Sequence, residues 1–133
     1  MPEGATATAA KLGVKPGYRV ALVGAPAGWE VPGLPPGSDQ RRARTAREAE
    51  VCVAFFTDAA SLERRIAGLA ATVGPGCALW VAWPRKAAGH RSDLSDNAVR
   101  LAVLPTGLVD VKVAAIDEDW SGLQFRWRRS AVT

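Results

Sequence analysis

Hydrophobic positions along this chain change their period several times, and each change marks an element. Val20, Ala21, Leu22 and Val23 form a short apolar run that predicts a first strand over 19–24. Two longer runs, Val51-Cys52-Val53-Ala54-Phe55-Phe56 and Cys77-Ala78-Leu79-Trp80-Val81-Ala82-Trp83, predict strands over 50–56 and 77–83 that are buried on both faces. Between them Leu62, Ile66, Leu69 and Val73 recur at helical spacing. The helix they predict is capped by Thr57 or Asp58, keeps Glu63, Arg64 and Arg65 off its apolar stripe, and stops at Gly74-Pro75-Gly76. A second helix is predicted from Ser95 to just before Pro105, with Leu94 stapling onto Val99. Strands over 108–116 and 123–128 close the chain, joined by the turn Asp117-Glu118-Asp119-Trp120-Ser121-Gly122.

The polar stretches are read from their breakers. Residues 25–40 carry Pro26, Pro32, Pro35 and Pro36 with Gly28, Gly33 and Gly37, which predicts an ordered loop with at most a helical turn. The arginine-rich stretch 40–49 fits either a short strand or a helix. Residues 1–10 and 130–133 read as tails around a single domain spanning 11–129. The element order is α/β, with helical crossovers between parallel strands and an antiparallel hairpin at the end. Such a mostly parallel sheet resembles a compact, reduced form of the class I methyltransferase-like, Rossmann-like architecture. That is a likeness of fold, from which activity does not follow.

The chain also resembles a family of small bacterial proteins classed as a domain of unknown function. The pieces that carry the likeness are Leu12-Gly13-Val14-Lys15-Pro16-Gly17, Val20-Ala21-Leu22-Val23-Gly24-Ala25-Pro26, Ala78 to Lys86, and Asp117-Glu118-Asp119-Trp120-Ser121-Gly122-Leu123. The resemblance implies a Rossmann-like fold and brings no activity with it.

Composition narrows the classes. A 133-residue chain that is 48% hydrophobic can bury a core and is not disordered. No apolar run approaches the roughly 18 residues of a membrane span, so no membrane partner is expected. The opening Met-Pro-Glu-Gly-Ala-Thr-Ala-Thr lacks the basic and apolar regions of a signal peptide, which leads to an expected cytoplasmic location. Cys52 and Cys77 begin apolar runs, where a free thiol serves as a small buried hydrophobe. The net charge of +4 comes partly from clusters at Arg41, Arg42, Arg44 and Arg47 and at Arg126, Arg128 and Arg129. Neither carries a nucleic-acid motif, and alternation with Leu123, Phe125 and Trp127 suggests a half-buried strand with charge guarding a sheet edge. Nucleic acid is therefore not an expected partner.

Candidate chemistry gathers where Ala78-Leu79-Trp80-Val81-Ala82-Trp83 runs into Pro84-Arg85-Lys86. Open α/β sheets bind ligands beyond the carboxyl ends of their strands. With parallel core strands, Gly24–Trp29, 57–58, 83–86 and 117–120 share that end. The candidate ligand-binding residues are Gly24, Trp29, Trp83, Arg85, Lys86, Asp93, Asp117 and Trp120. Arg85 and Lys86 would hold a phosphate or carboxylate, Asp93 would orient one of them, and the tryptophans would form a planar wall. In the alternative, the two cations pair with neighbouring acids and merely fasten loops.

Other sites find less support. His90 is the single histidine, so no metal site is expected. His90, Ser92 and Asp93 lie too close in sequence for a serine triad with a separately held nucleophile. No cofactor is expected either. S-adenosylmethionine is the one the fold likeness would allow, but Pro26 removes a donor from the first loop, and only Asp39 and Glu48 are available to hold a ribose. The expected function is a non-catalytic binding or regulatory domain that takes an anionic small molecule or a protein partner at the strand ends. The alternative is a small methyltransferase-like transferase, or another enzyme acting on an anionic substrate. Exposed terminal strands would allow a homodimer in either case.

Overall fold

The computed structural model describes residues 8–128; residues 1–7 of the expected tail 1–10, Arg129 and the expected tail 130–133 lie outside the described residues. Its elements are α1 (Thr8–Leu12), β1 (Arg19–Val23), β2 (Asp39–Ala43), β3 (Val51–Phe55), α2 (Ala59–Ala70), β4 (Ala78–Pro84), α3 (Asp96–Val103), β5 (Leu108–Ala115) and β6 (Trp120–Trp127). Single 3-10 turns cover Lys86–Ala88 and Leu104–Thr106. The six strands form one mixed sheet in the order β2-β1-β3-β4-β6-β5. Strands β1 to β4 are parallel; β6 runs against both β4 and β5.

Burial follows the sequence pattern. All residues of β3 and β4 are buried, as expected of strands covered on both faces. One face carries Ala21, Cys52, Leu79 and Phe125 beneath Leu62, Ile66 and Leu69 of α2 and Val99 and Val103 of α3. The other carries Val20, Val53, Phe55 and Trp80 beneath Ala9 and Leu12 of α1 and Val31 of the loop 24–38. Both predicted helices form, with Asp58 accepting from Ser61 N at one N-terminus and Ser95 from Ala98 N at the other.

Three expectations change and one open alternative is resolved. Residues 8–10 belong to α1 rather than to a tail, because Ala9 and Leu12 bury against the sheet and Leu12 O accepts the Trp80 indole N–H at 3.1 Å. The ambiguous 40–49 segment resolves into a strand, β2, followed by an irregular link back to β3. The hairpin turn is shorter than 117–122, since Ile116 N donates to Trp120 O and β6 begins at Trp120. Strand β6 is interior, so Arg126 guards no sheet edge; the outer strands are β2 and β5, and only β5 of the closing pair has an open side. The charge-rich sequence Asp39-Gln40-Arg41-Arg42 of β2 suits an edge. Both cysteines are free and buried.

Candidate functional site

Strand direction puts the ends of β1, β3, β4 and β5 at one end of the sheet, and the predicted residues divide there into two groups. The first is a clasp. The Trp29 indole N–H donates to Asp117 Oδ2 at 2.9 Å, and Phe55 lies edge-on to both Trp29 and Trp120, with ring centroids 4.8 and 4.9 Å apart. Asp117 also accepts from Asp119 N and Trp120 N through Oδ1, which shapes the hairpin turn. Trp29, Asp117 and Trp120 therefore fasten the loop after β1 to the turn after β5. Gly24 sits at φ 68°, and a Cβ there would lie 3.1 Å from Phe55 O. Only glycine suits that bend and approach together.

The second group surrounds an open cleft of about 350 Å³ between the end of β4 and the N-terminus of α3. Buried Trp83 and Leu94 form its apolar side; Arg85, Lys86 and Ser121 supply polar groups, and half-exposed Val113 completes the wall. Arg85 Nη1 donates to the carbonyl oxygens of Asp117 and Glu118 at 3.2 and 3.4 Å. Among the described residues neither Arg85 nor Lys86 makes an ion pair with a carboxylate. Arg85 is thus oriented by main-chain oxygens, with no ion pair to a described carboxylate. Asp96 stands at the cleft too, bonded to Arg100 through Oδ2 and to Asn97 N through Oδ1.

Asp93 does not orient either cation. Its Oδ1 accepts from Ala59 N at 2.9 Å, capping the first turn of α2 together with Asp58. The Asp58 carboxyl is held below its ordinary range chiefly by the Ser61 backbone N–H and then by the Ser61 hydroxyl. Ser92 donates to Thr57 O at 2.8 Å, and His90 Nε2 lies 2.9 Å from Asp119 Oδ1. His90, Ser92 and Asp93 therefore serve three separate partners, pinning the segment 85–95 across the sheet end, and do not form a catalytic relay.

The first loop departs from a nucleotide cradle in ways the sequence only partly indicated. No helix follows β1, and Arg42 holds the carbonyls of Ala25 and Pro26 at 2.9 and 2.7 Å. Asp39 begins β2 and Glu48 lies in the link to β3, so neither stands at the carboxyl end of β2. Arg42 was visible in the sequence only as one member of a charge cluster, and Phe55 only as a core residue. Among the described residues no three His, Cys, Asp or Glu side chains are grouped to hold a metal ion, and no helix is long and apolar enough to cross a membrane. No protein-family model matches the chain, and no curated protein matches it in sequence.

Proposed function

We propose that this protein is a non-catalytic binding or regulatory domain that takes an anionic small molecule in the cleft beside Arg85 and Lys86. The observation that carries the reading is the Arg85 geometry: carbonyl oxygens fix the guanidinium, and among the described residues no carboxylate makes an ion pair with it. A cation held in place before binding loses little freedom when an anion arrives, and its remaining N–H groups can pair with carboxylate or phosphate oxygens. Lys86 adds a second charge, and the cleft volume falls in the range of small-molecule sites.

A finer fold assignment belongs to the same reading. Parallel strands that end in an antiparallel pair support a reduced class I methyltransferase-like, Rossmann-like domain. The transferase alternative draws on that sheet order, whereas the Arg42-bound first loop and the missing acid at the end of β2 speak for binding without that cofactor's usual anchors.

Calorimetric titration with inorganic phosphate, glycerol phosphate and short aliphatic carboxylates tests the proposal. Saturable binding that weakens with salt is expected, and Lys86→Ala should lower affinity about tenfold, the size of a lost charge-assisted hydrogen bond. Absence of saturable binding, or equal affinity in Lys86→Ala, overturns it.

A further inference from the structure

Strands β1 and β3 are neighbours whose chains depart in opposite directions, β1 toward β2 and β3 toward β4. The carboxyl ends of two such strands leave a crevice between the outgoing connections, the place where open α/β sheets receive ligands. Here it is an open space of about 420 Å³, separate in its lining from the Lys86 cleft. Gly24 and Pro26 border it on the β1 side. Phe56 and Thr57 form the β3 side, Arg65 reaches it from α2, and Trp120 from β6.

The main chain around the crevice is poorly placed to bind an anion. Pro26 has no N–H to offer, and no helix follows β1 to present free N–H groups. At the start of α2, Ala59 N and Ser61 N already donate to Asp93 and Asp58. Recognition therefore falls to side chains. The Arg65 guanidinium lies 5.8 Å from the centre of the Phe56 ring, and among the described residues it has no carboxylate partner. A cation–π approach to a buried aromatic favours positions of the exposed guanidinium beside the crevice and leaves its N–H groups open to an acceptor. Trp120, held edge-on by Phe55, is only half buried and lends the crevice an aromatic surface.

We propose that this crevice is a second binding site, for a planar aromatic molecule bearing one carboxylate or phosphate, with the acid on Arg65 and the ring against Trp120. The two ends of the site discriminate separately. Arg65 selects the negative charge by charge-assisted hydrogen bonding, and Trp120 selects a flat apolar body by stacking. The segment 85–95, pinned by Ser92 to Thr57 O and by Asp93 to Ala59 N, attaches along the start of α2. The crevice and the Lys86 cleft share no lining residue, so occupation of this crevice does not require Lys86.

Naphthoate is a suitable probe, compared with naphthylmethanol, which keeps the ring without the charge, and cyclohexanecarboxylate, which keeps the charge without the flat ring. The readout is the set of indole N–H resonances in a nitrogen-15-labelled sample, with the Trp120 signal assigned by Trp120→Phe. Naphthoate should shift the Trp120 signal saturably and bind about tenfold more tightly than either control. Arg65→Gln, at an exposed helix position, should remove the preference for the acid over the alcohol, while Lys86→Ala should leave the naphthoate affinity read at the Trp120 signal unchanged. The proposal is overturned if naphthoate perturbs Trp83 instead of Trp120, if acid and alcohol bind wild-type protein equally, or if Arg65→Gln keeps the full preference. Failure of phosphate and aliphatic acids at Lys86, with naphthoate binding intact, would reject the first site and leave this one standing.

Discussion

The indole of Trp29 and the carboxylate of Asp117 meet at 2.9 Å across 88 residues of sequence, joining the loop that leaves β1 to the turn that leaves β5. Phe55 at the end of β3 fills the space between this pair and Trp120. Three strand ends are thus fixed by one hydrogen bond and two edge-to-face contacts. The two aromatic contacts keep Trp120 in position at the rim of the β1/β3 crevice, while the Asp117 turn presents the carbonyl that orients Arg85. A residue pair between the two proposed sites therefore shapes both.

Trp29→Phe should lose the hydrogen bond while keeping most of the ring packing, costing about 1 kcal/mol in chemical denaturation. Asp117→Ala should cost more, because the same carboxylate also accepts from Asp119 N and Trp120 N. The order of the two variants is the check. If Trp29→Phe is the more damaging, ring packing rather than the hydrogen bond dominates the clasp.

Gly122→Ala should destabilise the protein by about 1–3 kcal/mol, the usual range for overpacking a core. A Cβ at that position would lie 2.6 Å from Ile116 Cδ1 and 3.0 Å from Trp80 Cε3. Both neighbours are fully buried and have little room to yield. Equilibrium unfolding in urea gives the number, and an unchanged midpoint would show that Ile116 can repack.

Much of the fold was legible because its strongest signals are local. The apolar runs of β3 and β4, the stripe Leu62, Ile66, Leu69 and the caps Asp58 and Ser95 need only a few neighbours to be read. Strand β2 is not readable from sequence, since Asp39-Gln40-Arg41-Arg42 lacks an apolar period and its extended form comes from pairing with β1. The interior position of β6 was hidden for the same reason: strand order is a property of long-range pairing. At the site, chain direction correctly brought the strand ends together, but individual roles were not readable. Asp93 turns to α2 and not to a cation, and Arg65 looks in sequence like any solvated helix residue. Only the approach of Phe56 from another element distinguishes it.

Stability should fall as the pH drops below the ordinary carboxylate range. Glu50 accepts from the Arg19 backbone N–H at 2.6 Å and from its guanidinium at 3.1 Å; the first is the main cause of its lowered pKa and the second reinforces it. Asp58 is lowered by Ser61 N and then the Ser61 hydroxyl. A depressed folded pKa contributes stability above the unfolded value, near 4.5 for Glu50 and 3.8 for Asp58, and loses it as pH falls through the folded one. Urea midpoints measured from pH 6 downward should therefore hold at first and then decline, with onset at about these ordinary values. Glu50→Gln should flatten part of that decline, and an unaltered slope in this variant would remove Glu50 from the account.

The two thiols should be silent in the folded protein. Burial pushes Cys52 strongly upward and Cys77 to about 11, and Cys52 is raised further by its neighbour Cys77. Thiolate is the reactive form, so alkylation by iodoacetamide at neutral pH should proceed only through opening of the β3–β4 core. Its rate should rise in destabilised Gly122→Ala and should not depend on occupation of the strand-end cleft except through stability. The linkage sign is opposite to that of the carboxylates. A raised thiol pKa favours the folded state below the unfolded value, ordinarily 9.0, and that contribution is lost as pH rises through the folded values. Stability should therefore begin to fall above about pH 9, and Cys77→Ala should reduce that fall. Rapid labelling of native protein at neutral pH, at a rate unaffected by Gly122→Ala, would show that the thiols are reached without opening the core.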